Sequence, residues 1–281
     1  MEGQMTDQDI RAWIGRSESA EDVLRAQPAR FMQATLGRAP DLAEGDALPP
    51  LWHWLYFLDA RPMGELGRDG HPKKGGFLPP VALPRRMWAG GRIAFHAPLA
   101  LGAAVTKRST IKAIEEKEGR SGKLCFVTVL HEVFAGETLA LTEEHDIVYR
   151  EDPAPDAPPP KTVPAPENAA VSEAIDPTPV MLFRYSALTF NGHRIHYDVD
   201  YARTVEGYEG LVFHGPLTAT LLVDLAARSM GRAPRRFAFR GLSPLAGAAP
   251  FRIEGRQDGD TMALWARRAD GATAMTADAA F

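Results

Sequence analysis

The 281 residues are 45% apolar and 24% charged, the balance of a globular protein with one large core or two moderate ones and not of a disordered chain. A formal net charge of -4 excludes a general nucleic-acid or membrane-surface binder and leaves room only for a local basic patch. The one cysteine, Cys125, excludes an intramolecular disulfide and points to a reducing compartment. It stands in the strand-like run Leu124–Leu130, where a buried packing role is expected. The acidic, polar start (Glu2, Asp7, Asp9) carries no signal of secretion, and no stretch reaches the ~20 apolar residues of a membrane span. The expected location is the cytoplasm.

The first helix candidate follows Pro49-Pro50. Leu51-Trp-His-Trp-Leu-Tyr-Phe-Leu58 is apolar nearly all round, so it predicts a helix that must be buried. A long Pro- and Gly-rich stretch from His71 to Gly91 comes next, read as a loop with basic residues Lys73, Lys74, Arg85 and Arg86. Loops of this length are often functional. Strand patterns follow over Val105–Glu116, Lys123–Phe134 and Thr138–Tyr149, punctuated by Gly119, Ser121-Gly122 and Gly136. From Glu151 to Ala170 seven prolines preclude helix and central strand and predict an extended connection.

Beyond that connection, Gly215-Pro216 opens a strong helix pattern. Pro216 fits the first turn, and Leu217, Leu221, Leu222, Leu225 and Ala226 make a broad apolar face. Strands over Pro250–Arg256, Met262–Arg267 and Thr273–Phe281 are separated by Asp258-Gly259 and Asp270-Gly271, both hairpin signals. The segment Arg92–Ala104 matches Arg236–Ala249, which suggests duplication. The pattern predicts an α+β protein of two similar halves, 1–150 and 173–281, joined by a Pro-rich linker over 151–172.

The stretch richest in chemistry is Phe190-Asn-Gly-His-Arg-Ile-His-Tyr-Asp198, followed by Val212-Phe-His-Gly-Pro-Leu217. A helix starting at Gly215 has first N–H groups without intrahelical partners, and its positive end suits an oxyanion. Glycine there lets a carbonyl approach the backbone closely. His196 is the acid–base candidate and Asn191 the orienting amide. His193, Arg194 and His214 are possible supporting residues. His193 and His196 could instead ligate a metal, but no third ligand is evident nearby in the sequence, so no metal is expected. Asn191 could also cap the short turn that follows it.

These residues resemble the MaoC-type hydratase and dehydratase family, whose motif Asp-x-Asn-Pro-x-His precedes a His-Gly helix start. Asn191 falls on the family's Asp, His193 on its Asn, Arg194 on its Pro, His196 on its catalytic His and Gly215 on its oxyanion glycine. Together with His71-Pro-Lys-Lys-Gly-Gly-Phe-Leu-Pro-Pro80 and Leu83-Pro-Arg-Arg-Met-Trp-Ala-Gly-Gly91, the stretch is similar to one branch. That branch holds the mesaconyl-C4-CoA and itaconyl-CoA hydratases and the 3-hydroxyacyl-thioester dehydratase type 2.

The resemblance implies a fused double hotdog, each half an antiparallel sheet wrapped around one buried helix, with the first half degenerate. It also implies a hydro-lyase acting on an acyl-CoA thioester, with coenzyme A as part of the substrate and no other cofactor. Asp22–Gly37 stands where the second half has its catalytic loop but lacks the motif, so one site per chain is expected. A dicarboxylic acyl group would need a cation, for which Arg184, Arg194 and Arg240 are candidates, while Lys73, Lys74, Arg85 and Arg86 could meet coenzyme A. A longer-chain dehydratase, a hotdog thioesterase and a non-catalytic acyl-CoA binder are the alternatives. A monomer or a homodimer fits a fused fold.

Overall fold

The computed structural model describes residues 10–119, 122–152 and 161–281; Glu2, Asp7 and Asp9, the Ser121 turn position and most of the prolines of the linker lie outside them. Ten strands form one antiparallel sheet. In chain order they are β1 (Ser17–Val23), β2 (Arg85–Phe95), β3 (Ala104–Gly119), β4 (Gly122–Ala135), β5 (Thr138–Arg150), β6 (Val171–Ile175), β7 (Arg236–Gly241), β8 (Phe251–Asp258), β9 (Thr261–Arg267) and β10 (Thr273–Ala280). The spatial order is β1-β3-β4-β5-β2-β7-β10-β9-β8-β6. If β6–β10 stand for β1–β5, the order reads the same from both edges.

The seam of this two-fold arrangement is β2 against β7, from Gly90 opposite Arg240 to Ala94 opposite Arg236. These are the segments whose sequences match, so the duplicated strands pair with each other. The seam is tight at Gly90, where a Cβ would lie 2.5 Å from the Phe239 carbonyl oxygen. A side chain there would push the halves apart.

Among the described residues the α-helices with both ends in view are α1 (Ala26–Thr35), α2 (Pro179–Leu188), α3 (Val199–Thr204) and α4 (Gly215–Met230). The central helix of the second half is α4. Pro216 stands in its first turn, and Gly231 at φ 66° ends it in the left-handed conformation. Along its length Leu217, Leu222 and Ala226 are fully buried. α4 packs on β7–β10. Arg38, just beyond α1, bonds Asp224 of α4 at 2.8 Å and ties the halves together.

The first half departs from expectation at the equivalent place. Leu51–Leu58 is not a helix: only Trp52–Leu55 forms a single 3-10 turn. Leu51 at φ 68° and Phe57 at φ 57° bracket that turn, and left-handed residues on both sides prevent it from growing. Its burial is as predicted, with Trp52, His53 and Leu55 all in the interior. The helix of this half is α1, which the sequence pattern did not show. The segment Asp22–Gly37 holds the end of β1 and α1, so it corresponds to α2 and not to the catalytic loop.

A second departure is in the long basic segment. It is irregular only as far as Pro84; Arg85–Gly91 belongs to β2. Of the Pro-rich connection, Val163–Ala165 lies along the second half, where the Thr273 N–H donates to Val163 and the Ala165 N–H to Gly271. The core runs through both halves around α4, Phe237, Phe239, Leu141 and Trp52. A smaller cluster, Ile111, Val127, Val129, Ile147 and Tyr149, lies under the 77–83 segment. Cys125 is buried in that cluster.

Candidate active site

The candidate stretch is an irregular loop between α2 and α3, with one 3-10 turn over Arg194–His196. Asn191 sets its shape. Its side-chain oxygen accepts the His193 N–H at 3.0 Å, and its own N–H donates to the Ser186 carbonyl at the end of α2. The loop is then pinned through a small cluster of Ile195, Tyr201, Ala202 and Val212, and the Val212 N–H donates to the Ile195 carbonyl.

This places His196 in the interior, 6% exposed. Its Nδ1 lies 2.7 Å from the Val212 carbonyl oxygen. A carbonyl can only accept, so Nδ1 carries the hydrogen and the neutral ring presents Nε2 as a free base. Burial pushes this imidazole down to about 4, against the weaker upward pull of the Val212 carbonyl. At neutral pH it is uncharged and ready to accept a proton.

His214 stacks on His196 with ring centroids 3.6 Å apart. It is fully buried, and its Nε2 lies 2.9 Å from the Ser186 hydroxyl. Burial holds it neutral, well below the usual imidazole range. His214 is also the residue before Gly215, at the cap of α4, and makes no side-chain cap bond there. The His196 ring and the helix start are therefore one side chain apart. Trp88 of β2 closes the other side of Gly215, since a Cβ on that glycine would lie 3.1 Å from its ring.

The first half supplies more of the site than its sequence suggested. Its 67–71 turn docks on the 190–198 loop: the Arg194 N–H donates to the Asp69 carbonyl at 2.9 Å, and Gly70 faces Gly192 so closely that a Cβ would sit 1.9 Å from its carbonyl oxygen. The turn brings His71 to His193, with centroids 4.2 Å apart. Asp69 accepts from His71 Nδ1 at 2.9 Å and from the His71 backbone N–H. These bonds hold the Asp69 carboxyl below the carboxylate range despite its burial. The result is a row of four imidazoles, His71, His193, His196 and His214, anchored by Asp69 at one end and Ser186 at the other.

The chain matches the family model for hydroxyacyl-thioester dehydratase type 2 over residues 51–247. It belongs to that family. The family is one of hydro-lyases, and the match spans both halves. The chain is 49% identical over 275 residues to the mesaconyl-C4-CoA hydratase of Chloroflexus aurantiacus, covering 97% of this chain and 98% of that one. It is 30% identical to the mitochondrial hydroxyacyl-thioester dehydratase type 2 of Schizosaccharomyces pombe, covering 83% of this chain and 88% of the relative. Among solved structures, a Mycobacterium tuberculosis protein described as a double hotdog superimposes with a TM-score of 0.58 at 13% identity, over 95% of this chain and 96% of its own. The fold is the fused double hotdog that the sequence implied.

Of the residues singled out from sequence, Asn191, His193, His196, His214 and Gly215 come together. Arg194 is committed elsewhere, paired with Asp198 at 2.7 Å and lying 4.0 Å over the Tyr201 ring. Lys74 donates to the Val81 and Leu83 carbonyls and Lys73 to the Gly64 carbonyl, so both brace their own loop. Arg85 is buried and paired with Asp152 and Glu206. Arg184 on α2 and Arg240 on β7 are exposed.

Sequence reasoning missed Asp69 and Ser186, and it named His71, Trp88 and Val212 only as parts of motifs. His193 does have further ligand atoms close by, contrary to the expectation from sequence. Asp69, His71 and His193 have ligand atoms within 4.8 Å of one another, although a cation there would have to displace the hydrogen bond between Asp69 and His71.

Proposed function

We propose that this protein reversibly hydrates an α,β-unsaturated acyl-CoA thioester, with a short branched dicarboxylic acyl group such as that of mesaconyl-C4-CoA. The observation that carries the reading is the neutral His196, its Nε2 unoccupied, set one stacked ring from the α4 start. The relative from Chloroflexus aurantiacus supports the acyl group.

The thioester carbonyl lies at the Gly215 N–H, where the open helix end stabilises negative charge. His196 Nε2 takes a proton from water as the hydroxide oxygen bonds to the β-carbon. The alkene pair shifts to the α-carbon and onto the thioester oxygen as an enolate. His196 then returns the proton to the α-carbon, and the carbonyl reforms. A single oxyanion donor is worth roughly 2.7–4 kcal/mol in such a transition state. Asn191 cannot act as a base. With its oxygen on the His193 N–H, its amide hydrogens remain to orient the water. The acid–base work falls on His196, and coenzyme A enters only as part of the substrate.

Hydration consumes the enoyl-thioester absorbance without releasing thiol. Incubation with mesaconyl-C4-CoA, itaconyl-CoA and crotonyl-CoA, following both signals, tests the reading; thiol release at the rate of absorbance loss would make the protein a thioesterase. The family itself favours a second reading, dehydration of a 3-hydroxyacyl thioester with a longer apolar chain. That reading predicts preference for crotonyl-CoA and longer homologues over the dicarboxylic thioesters.

A further inference from the structure

The inner face of the first half carries a cation without an acid, next to the site. Arg86 and Trp88 are two residues apart on β2 and share one face. Trp88 lies against the α4 start and meets the His145 ring edge-on at 5.6 Å. One step along the strand, Arg86 is the cross-strand neighbour of Tyr149 on β5. Burial is the main cause that lowers His71, His193 and His145, and the Arg86 charge adds to it in all three, so the guanidinium stands among imidazoles of both halves. Among the described residues no carboxylate lies within ion-pair distance of it, whereas Arg85 has two acidic partners and Arg194 has one.

Tyr149 supplies a second, independent observation. The residue is fully buried, and its hydroxyl has no partner of good hydrogen-bond geometry, its polar neighbour being the Arg86 guanidinium. Arg86 is near enough to favour the phenolate, yet burial wins and the phenol is pushed up, so it remains a neutral donor. A half-buried guanidinium without an acid, with a buried hydroxyl as its neighbour on the adjacent strand, is a cost that a bound anion would offset.

We infer that Arg86, with Tyr149 beside it, receives the free carboxylate of a dicarboxylic acyl group whose thioester end lies at Gly215. This rests on the hydration reading above and names the residues that would select its substrate. In a four-carbon acyl chain the terminal carboxylate is borne by the β-carbon, the atom to which His196 directs water. A guanidinium fork holding it would fix the alkene as well as the carboxylate. The phosphates of coenzyme A lie at the far end of the pantetheine arm and cannot reach this point while the thioester is at Gly215.

The test uses succinyl-CoA and butyryl-CoA, saturated thioesters of equal chain length that cannot be hydrated and differ in the terminal carboxylate. Calorimetry on the wild-type protein should show a preference for succinyl-CoA of about 30-fold or more, the scale of a partly desolvated charge pair. Arg86→Gln should abolish that preference while keeping wild-type affinity for butyryl-CoA, which also shows that the variant is folded. Tyr149→Phe should reduce it in part. Equal weakening of both ligands, an unchanged preference in Arg86→Gln, or no preference in the wild type would each overturn the assignment. The hydration reading fails separately, if wild-type protein turns over neither mesaconyl-C4-CoA nor crotonyl-CoA.

Discussion

His196 and His214 stack face to face at 3.6 Å with an angle of 18° between their rings. Two imidazoles so close and so buried cannot both be charged, and burial keeps each neutral. The stack therefore fixes a basic Nε2 on His196 across the physiological range. kcat/KM should stay flat from about pH 8 down to about pH 5, because the base is protonated only near 4. A pH–rate profile with a midpoint near ~6.5 would show that the ring titrates as if in water.

The same burial makes stability depend on pH. His131 is pushed to about 3 and His193 to about 2 by desolvation, in addition to His196 at about 4. In the unfolded chain these rings titrate near ~6.5. Below that pH the unfolded state binds more protons than the folded one, so stability is complete above ~6.5 and falls as pH drops towards ~4. Urea midpoints at about pH 7.5 and about pH 5 should differ, with the lower value at the acid pH. Equal midpoints would contradict the buried, neutral rings.

Gly70 is the contact through which the first half reaches the catalytic loop. It has φ 89°, and a Cβ would lie 1.9 Å from the Gly192 carbonyl oxygen. Gly70→Ala should cost at least about 1–3 kcal/mol from the backbone conformation alone. It should also separate Asp69 and His71 from His193 and lower turnover more than substrate binding. Thermal unfolding together with kcat and KM checks this; wild-type kcat in a folded variant would remove the first-half turn from the account.

Ser186 holds His214 through its hydroxyl. Ser186→Ala should leave a buried ring nitrogen without its partner, at a cost of about 1–3 kcal/mol. The acid limb of the rate profile should shift as the stack loosens. A change in stability without any change in the profile would make Ser186 a packing residue only.

The strands and α4 were legible because each carries its own local signal: alternation between hairpin glycines, and Pro216 before a leucine face closed by Gly231. Leu51–Leu58 misled because an apolar run shows burial and not conformation, and the left-handed Leu51 and Phe57 leave no composition signature. The catalytic loop was visible as one contiguous stretch. That Asp69, His71 and Trp88 stand beside it was not visible, since only the β2–β7 seam and the docking of Gly70 on Gly192 bring them there. Arg184 and Arg240, the carboxylate candidates read from the sequence, are exposed.

In the proposed reaction His196 carries the proton transfers of hydration. The most direct measurement is the loss of enoyl absorbance of mesaconyl-C4-CoA, with thiol followed in parallel, for the wild type and for His196→Ala. The wild type should consume the enoyl thioester without thiol release, and the folded variant should be slower by roughly 10²–10⁴-fold, the range for a positioned acid–base group. A folded His196→Ala protein that hydrates at close to the wild-type rate would contradict the claim.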